Sequence, residues 1–125
     1  MVGIAVTDFD QVLRNFSAFS AKSAPNTFGE PGSRRTCVAD PEGNLVEIYE
    51  RDPLTAIDAC NANVARPEIP AVVRTMRVSV PSLEAARQTY VDAMGLQVVE
   101  DFALHTDEDE ALWGLPAAVS NTHLT

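Results

Sequence analysis

Residues 2–16 read VGIAVTDFDQVLRNF, and residues 76–90, which lie 74 positions further along the chain, read MRVSVPSLEAARQTY. Each segment begins with apolar residues that alternate with small or polar ones and continues with apolar residues at helical spacing. Alternation with period two predicts a strand covered on one face, and the helical spacing predicts an amphipathic helix. The chain therefore contains an internal repeat in which a strand runs into a helix.

The predicted helices have recognisable ends. Asp8 and Ser82 stand at the N-cap positions, where a side-chain oxygen can accept a hydrogen bond from the first helical turn. Gly95 is the expected C-cap of the second helix, and a strand is predicted over 96–99. Each helix carries an apolar stripe that we expect to pack on a sheet, formed by Phe9, Val12, Leu13, Phe16 and Phe19 in the first and by Leu83, Ala86, Tyr90 and Met94 in the second.

Residues 40–50 read DPEGNLVEIYE and predict a β-hairpin. The arms are expected over 36–39 and 45–50, and the connection contains Pro, Gly and Asn, which favour turns. Period two along the second arm places Leu45, Glu47 and Tyr49 on one face. Glu47 therefore shares a strand face with apolar neighbours.

The predicted elements form a βαβββ unit that occurs twice. The first module is expected over 1–52 and the second over 72–125, with 53–71 as a linker rich in Ala and Pro. The end of the chain from Ala117 shows no clear alternating apolar face, and no second DPxGN hairpin occurs there. The fold class is predicted as α+β, with mixed sheets that curl around a cleft and helices on the outside.

Composition limits the partners. The 125 residues include 9 Lys and Arg against 18 Asp and Glu, which gives a formal net charge of −9 and disfavours nucleic acid and membrane surfaces as partners. No apolar run is long enough to span a bilayer, and residues 1–10 do not resemble a signal peptide, so we expect a cytoplasmic protein. Cys37 and Cys60 lack zinc-binding spacing and are expected to be reduced and unpaired.

The hairpin segment 40–50, together with the segment 78–96, resembles the vicinal oxygen chelate superfamily, which includes glyoxalase I, extradiol dioxygenases and bleomycin resistance proteins. The resemblance covers about residues 1–52 and 72–116 and implies paired βαβββ modules around a U-shaped cleft. Residues 1–52 resemble the second module of one domain, and 72–125 resemble the first module of the next. We therefore expect either a piece of a longer two-domain protein or a compact variant with the modules in reversed order.

The resemblance also implies a divalent metal, Mn, Fe, Ni or Zn, with ligands on the first and last strand of each module. Glu47 matches the last-strand carboxylate and would serve as metal ligand or as proton shuttle. The first-strand positions fall on Met1 and Thr75, which are not normal ligands for these metals. The other last-strand position falls on Asn121, with His123 as a possible substitute ligand.

Two functions and a third possibility remain open from the sequence. The first is a metal-assisted lyase, isomerase or ring-cleaving dioxygenase that acts on vicinal oxygens of a small molecule. The second is a metal-free protein that binds a hydrophobic or cationic drug, as bleomycin resistance proteins do, and the third is an inactive fragment of a larger enzyme. A homodimer is expected in each case.

Four residues around Glu47 are candidates for substrate binding. Leu45 and Tyr49 share its strand face, and Cys37 lies on the other arm of the hairpin, as a small buried thiol or as a nucleophile. Arg35, and Arg34 beside it, could bind a substrate carboxylate or phosphate, or could form surface ion pairs with the many acidic residues. If Glu47 is desolvated without a cation, burial favours its protonated form and it could act as a general base.

Overall fold

A computed structural model describes residues 1–19, 25–55, 64–104, 111–112 and 119–124. The chain divides into two compact units, Met1–Arg77 and Val78–Thr125. Its described residues form an α+β fold, with a five-stranded mixed open sheet and a helix in the first unit and helical segments and a pair of antiparallel strands in the second. Within the described ranges, no helix is long and apolar enough to cross a membrane.

The first unit is built around the five-stranded sheet, whose order is β2-β3-β4-β1-β5. β1 runs parallel to β4, and the other three neighbouring pairs are antiparallel. The parallel pair requires a crossover between β1 and the later strands, and helix α1 lies within that connection. The elements are β1 Val2–Val6, α1 Phe9–Phe19, β2 Thr27–Phe28, β3 Arg35–Ala39, β4 Leu45–Tyr49 and β5 Ala71–Met76.

Helix α1 begins as the sequence predicts and packs on one face of this sheet. Asp8 Oδ1 accepts a hydrogen bond from Gln11 N at 2.9 Å, which satisfies a free N–H of the first turn. The apolar stripe of α1 faces side chains that alternate along β1, β3 and β4. The buried centre consists of Val6, Phe9 and Ile48, and the partly buried residues packed against it are Ile4, Val12, Leu13, Phe16, Val38 and Val46.

The predicted hairpin is present as β3 and β4. Asp40 closes its turn, because Oδ1 accepts hydrogen bonds from Glu42 N at 3.0 Å and from Asn44 N at 2.8 Å. Hydrogen bonds from Asn44 lower the pKa of the Asp40 carboxyl. Gly43 has a φ of 87°, a left-handed conformation that favours glycine. The register places Cys37 opposite Glu47 and Arg35 opposite Tyr49.

The repeat segment 76–90 predicts a strand over the alternating residues Met76, Val78 and Val80, but the strand lies elsewhere. β5 covers Ala71–Met76 and pairs with β1 in the first sheet, whereas residues 77–80 are not in a strand. The register aligns Thr75 with Gly3 and Val73 with Ile4, so Arg74 is an extra residue that forms a bulge. The alternation of apolar residues in this segment predicts that their side chains are buried. This prediction is wrong, because Met76 and Val78 are exposed.

The second unit contains helix α2, Leu83–Arg87, which continues as a π-helical segment over Gln88–Ala93, and the antiparallel strands β6, Val98–Leu104, and β7, Val119–Leu124. Ser82 Oγ accepts a hydrogen bond from Ala85 N at 3.2 Å, and Gly95 adopts a φ of 77° after the helix, so both predicted ends are confirmed. β6 starts later than the strand predicted at 96–99. β7 lies in the segment after Ala117, whose sequence predicts no clear strand. It forms a strand by pairing with β6, although its apolar residues do not alternate.

The second predicted apolar stripe contributes no buried residue to the part of the chain that the structure describes. None of the residues of α2 or of the π-helical segment is buried. Leu83 and Met94 are exposed, in contrast to Phe9 on α1, which is almost fully buried. The first unit therefore contains the core that stabilises the functional residues described next.

Candidate functional site

Glu47 lies in the middle of β4 on the sheet face opposite to α1. Its neighbours Val46 and Ile48 point toward the helix and belong to the core, so period two directs Glu47 to the other face. Its relative exposure is 0%, which is exceptional for a carboxylate and requires that its charge be compensated nearby. Tyr49, two positions later on the same face, is also buried.

An arginine and a tyrosine both donate hydrogen bonds to one oxygen of Glu47. Tyr49 Oη donates to Oε2 at 2.8 Å, and Arg77 Nη1 donates to the same oxygen. Arg77 Nη2 also donates to Tyr49 Oη at 3.1 Å, which closes a triangle of hydrogen bonds. Arg35 approaches from β3, with Nη1 at 3.7 Å from Glu47 Oε1. We call Arg35, Glu47, Tyr49, Thr75 and Arg77 the Glu47 cluster.

The two oxygens of Glu47 differ. Oε2 accepts two hydrogen bonds, whereas Oε1 is buried and accepts none within the described part of the chain. The distance of 3.7 Å from Arg35 is too long for a hydrogen bond, although the charges still attract. Among the described residues, Oε1 is therefore an acceptor without a donor.

Thr75 and Gly3 complete the surroundings of Tyr49. Thr75 Oγ1 lies 3.3 Å from Tyr49 Oη and acts as the donor, because the tyrosine proton is already directed to Glu47. Gly3 permits this approach, since a Cβ there would lie 2.8 Å from Tyr49 Cε2 and closer still to Thr75 Oγ1. Burial, reinforced by the negative charge of Glu47, raises the pKa of Tyr49 to about 12, so its hydroxyl stays protonated near neutral pH.

Of the other two residues predicted to bind substrate, Cys37 lies near Glu47 and Leu45 does not. Cys37 is half-buried opposite Glu47, and burial together with that carboxylate raises the pKa of its thiol. The thiol form favours the interpretation as a small packed side chain over that as a nucleophile. Leu45, in contrast, lies at the start of β4 and is 38% exposed, outside the cluster.

Arg34, which directly precedes β3, and Arg35, the first residue of β3, have different partners. Arg34 donates from Nε to Glu50 Oε2 at 2.8 Å and from Nη1 to Asp10 Oδ1 at 2.9 Å, and its guanidinium lies 4.9 Å from the centre of the Phe9 ring. Arg34 thus forms the surface ion pairs that the acidic composition suggested. Arg35 instead contributes its charge to the Glu47 cluster.

A divalent metal does not fit the described surroundings of Glu47. The carboxylate oxygen that would bind a metal accepts hydrogen bonds from a guanidinium and a phenol, and a second guanidinium faces the other oxygen. Thr75, at one predicted ligand position, contacts Tyr49 through its hydroxyl. Among the described residues, no group of three His, Cys, Asp or Glu side chains could hold a metal ion. His123 lies on β7, and its side chain is outside the described residues.

Sequence reasoning missed Arg77. The alternation of Met76, Val78 and Val80 predicts a strand with an apolar face, and this pattern gives Arg77 no role at Glu47. A signal was present, because Thr75 and Arg77 are two positions apart and extended backbone places such residues on the same face. A carboxylate predicted inside a strand requires a cation, and only nine Lys and Arg residues are available in the chain.

Comparison of the chain with protein-family models, curated proteins and solved structures finds no match. The resemblance to the vicinal oxygen chelate superfamily therefore stays a prediction that depends on the residues quoted above.

Proposed function

We propose that this chain is a metal-independent module that binds a small organic molecule on the sheet face that carries the Glu47 cluster. The observation behind the proposal is the complete burial of Glu47 with Arg77 and Arg35 around its carboxylate. The proposal corresponds to the drug-binding alternative rather than to the metal-assisted enzyme.

Electrostatics disfavour a metal at this position. Two like unit charges about 4 Å apart repel each other by about 4 kcal/mol at the effective dielectric constant near a protein surface. The repulsion energy doubles when one of the charges is a divalent ion. Arg35 and Arg77 both lie within 4 Å of the oxygens to which the metal would bind. A metal-dependent lyase, isomerase or dioxygenase would require ligands beyond the described residues.

The described groups in the cluster are suited to binding rather than to proton transfer or nucleophilic attack. The Tyr49 proton is held by Glu47, and the raised pKa of Tyr49 opposes its loss. The thiol of Cys37, which lies opposite Glu47 beside the cluster, is likewise kept protonated, because burial raises its pKa. Arg35 and Arg77 are 26% and 21% exposed, so each can contact a molecule on the sheet face.

We also propose that the repeat represents paired βαβββ modules, as in glyoxalase-like proteins, that curl around a ligand cleft. The connectivity β1-α1-β2-β3-β4 supports the proposal for the first module. The start of β7, Val119, lies 74 positions after the start of β4, Leu45, which is the offset of the repeat. A homodimer belongs to the same proposal, and sedimentation equilibrium of the full chain tests it.

Thermal unfolding of the full chain in EDTA, with and without a library of small organic acids, alcohols and amines, tests the binding function. A compound that binds only the folded state raises the melting temperature, by an amount set by its concentration relative to its Kd. We expect hits in EDTA whose effect is reduced in Arg35→Met and retained in Arg66→Met. Arg66 is the matched control because its ion pair with Glu68 is exposed. Stabilisation that requires a divalent metal, or no stabilisation by any compound, would contradict the proposal.

A further inference from the structure

We infer that Glu47 Oε1 accepts a hydrogen bond from the ligand, and that the ligand is an uncharged molecule with an N–H or O–H group, such as a lactam or a phenol. This inference rests on the proposed binding function and specifies the chemistry of the ligand at the same site. The observation behind it is a fully buried carboxylate oxygen that has no donor among the described residues.

The two oxygens of Glu47 have unequal surroundings. Oε2 accepts hydrogen bonds from Tyr49 Oη and Arg77 Nη1, so the tyrosine proton is directed away from Oε1. Arg35 Nη1, at 3.7 Å from Oε1, attracts the carboxylate by its charge but is too distant for a hydrogen bond. A buried acceptor without a donor is costly, so a ligand that donates to Oε1 gains the free energy of a new hydrogen bond.

Oε1 is buried beneath side chains that are themselves partly exposed. Arg35 is 26% exposed, and Cys37, which lies opposite Glu47 on β3, is half-buried. Arg35 donates no hydrogen bond to Oε1, so a shift of its side chain breaks none to that oxygen. A small ligand can therefore reach Oε1 by displacing a side chain near the surface rather than the core. The inference requires no ligand contact with an arginine.

Burial favours an uncharged donor. Glu47 has a relative exposure of 0%, so a group that reaches Oε1 must lose its hydration. Removing an ammonium group from water costs far more free energy than removing an amide or a hydroxyl, and the negative charge of Glu47 is already paired with Arg77. A carboxylate has no proton to donate near neutral pH. An uncharged N–H or O–H group supplies the proton at the lower cost of desolvation.

The test is an NMR titration of the full ¹⁵N-labelled chain in EDTA with two pairs of probes, pyrrolidinone with N-methylpyrrolidinone and phenol with methoxybenzene. Within each pair, methylation removes the donor and keeps the oxygen acceptor. We expect at least one donor probe to shift the amides of Cys37 and Glu47 saturably, with an affinity at least about tenfold higher than that of its methylated partner, because the partner leaves the buried acceptor unpaired.

Glu47→Gln exchanges the acceptor for a donor. The glutamine oxygen should keep the position of Oε2, because Tyr49 and Arg77 both donate there, and the amide nitrogen then takes the position of Oε1. This N–H group requires an acceptor, so the preference for the donor probe should disappear. Glu68→Gln is the matched control and should retain the preference, because Glu68 is 74% exposed in its pair with Arg66.

The outcomes separate the two proposals. Equal affinities within both pairs of probes would overturn the inference, and so would a preference that persists in Glu47→Gln. No binding of any probe, while library compounds shift amides of β3 and β4 in EDTA, would overturn the inference and leave the binding function in place. If nothing binds in EDTA, both proposals are wrong. The spectrum of each variant shows whether it is folded, and the probe pairs on the parent chain decide the inference if Glu47→Gln is not.

Discussion

Replacing Arg77 with methionine should remove the main counter-charge of a carboxylate that has no exposure to water. Glu47 is fully buried, and the side chain of Arg77 is only 21% exposed. Breaking a buried ion pair by removing one partner costs about 3–5 kcal/mol, because the other charge stays buried and uncompensated. Arg35 remains 3.7 Å away in the variant, so we expect a loss near the lower end, about 3 kcal/mol.

Urea unfolding followed by far-ultraviolet circular dichroism measures this loss. Arg66→Met is the matched control, since its pair with Glu68 is exposed and should cost less than about 1 kcal/mol. The double variant Arg77→Met with Glu47→Gln removes both charges and should recover about 2 kcal/mol relative to Arg77→Met alone, because no bare charge then remains buried. A loss below about 1 kcal/mol for Arg77→Met, or no recovery in the double variant, would refute the reasoning.

Three further predictions concern the first unit. Gly3→Ala should cost about 2 kcal/mol in urea unfolding, because the new Cβ would overlap Thr75 Oγ1. Ile48→Ala should cost about 3 kcal/mol in the same assay, because the side chain is 2% exposed in the core, and a loss under about 1 kcal/mol would contradict the described packing. Hydrogen bonds from Arg34 lower the pKa of Glu50 from 4.5 to about 2, so their stabilisation is complete above pH 4.5 and is lost as the pH falls toward 2. Glu50→Gln should therefore flatten the decline in stability over that range, and an unchanged slope would contradict the ion pair.

Local patterns were sufficient to predict much of the first unit. The DPEGN turn and the alternation that follows it define β3, β4 and the strand face on which Glu47 lies, because each signal is contained within a few residues. The cap at Asp8 and the stripe of α1 likewise predict the helix and the face that it buries. The candidates Arg35 and Tyr49 followed from their positions on these strands.

Long-range pairing could not be predicted in the same way. β5 takes its position from β1, and the bulge at Arg74 shifts which side chains share a face with Glu47. The sequence pattern alone placed the strand at 76–80 and treated its apolar residues as core. Arg77 therefore became visible as the partner of Glu47 only through the structure.

Isothermal titration calorimetry of Zn²⁺, Mn²⁺ and Ni²⁺ into the full chain and into Glu47→Gln tests most directly whether arginine, rather than a metal, neutralises the buried carboxylate. With Arg77 donating to Oε2 and Arg35 near Oε1, the account predicts that the two proteins give the same titration curves for every metal. A stoichiometric site that is present in the parent chain and lost in Glu47→Gln would contradict the account.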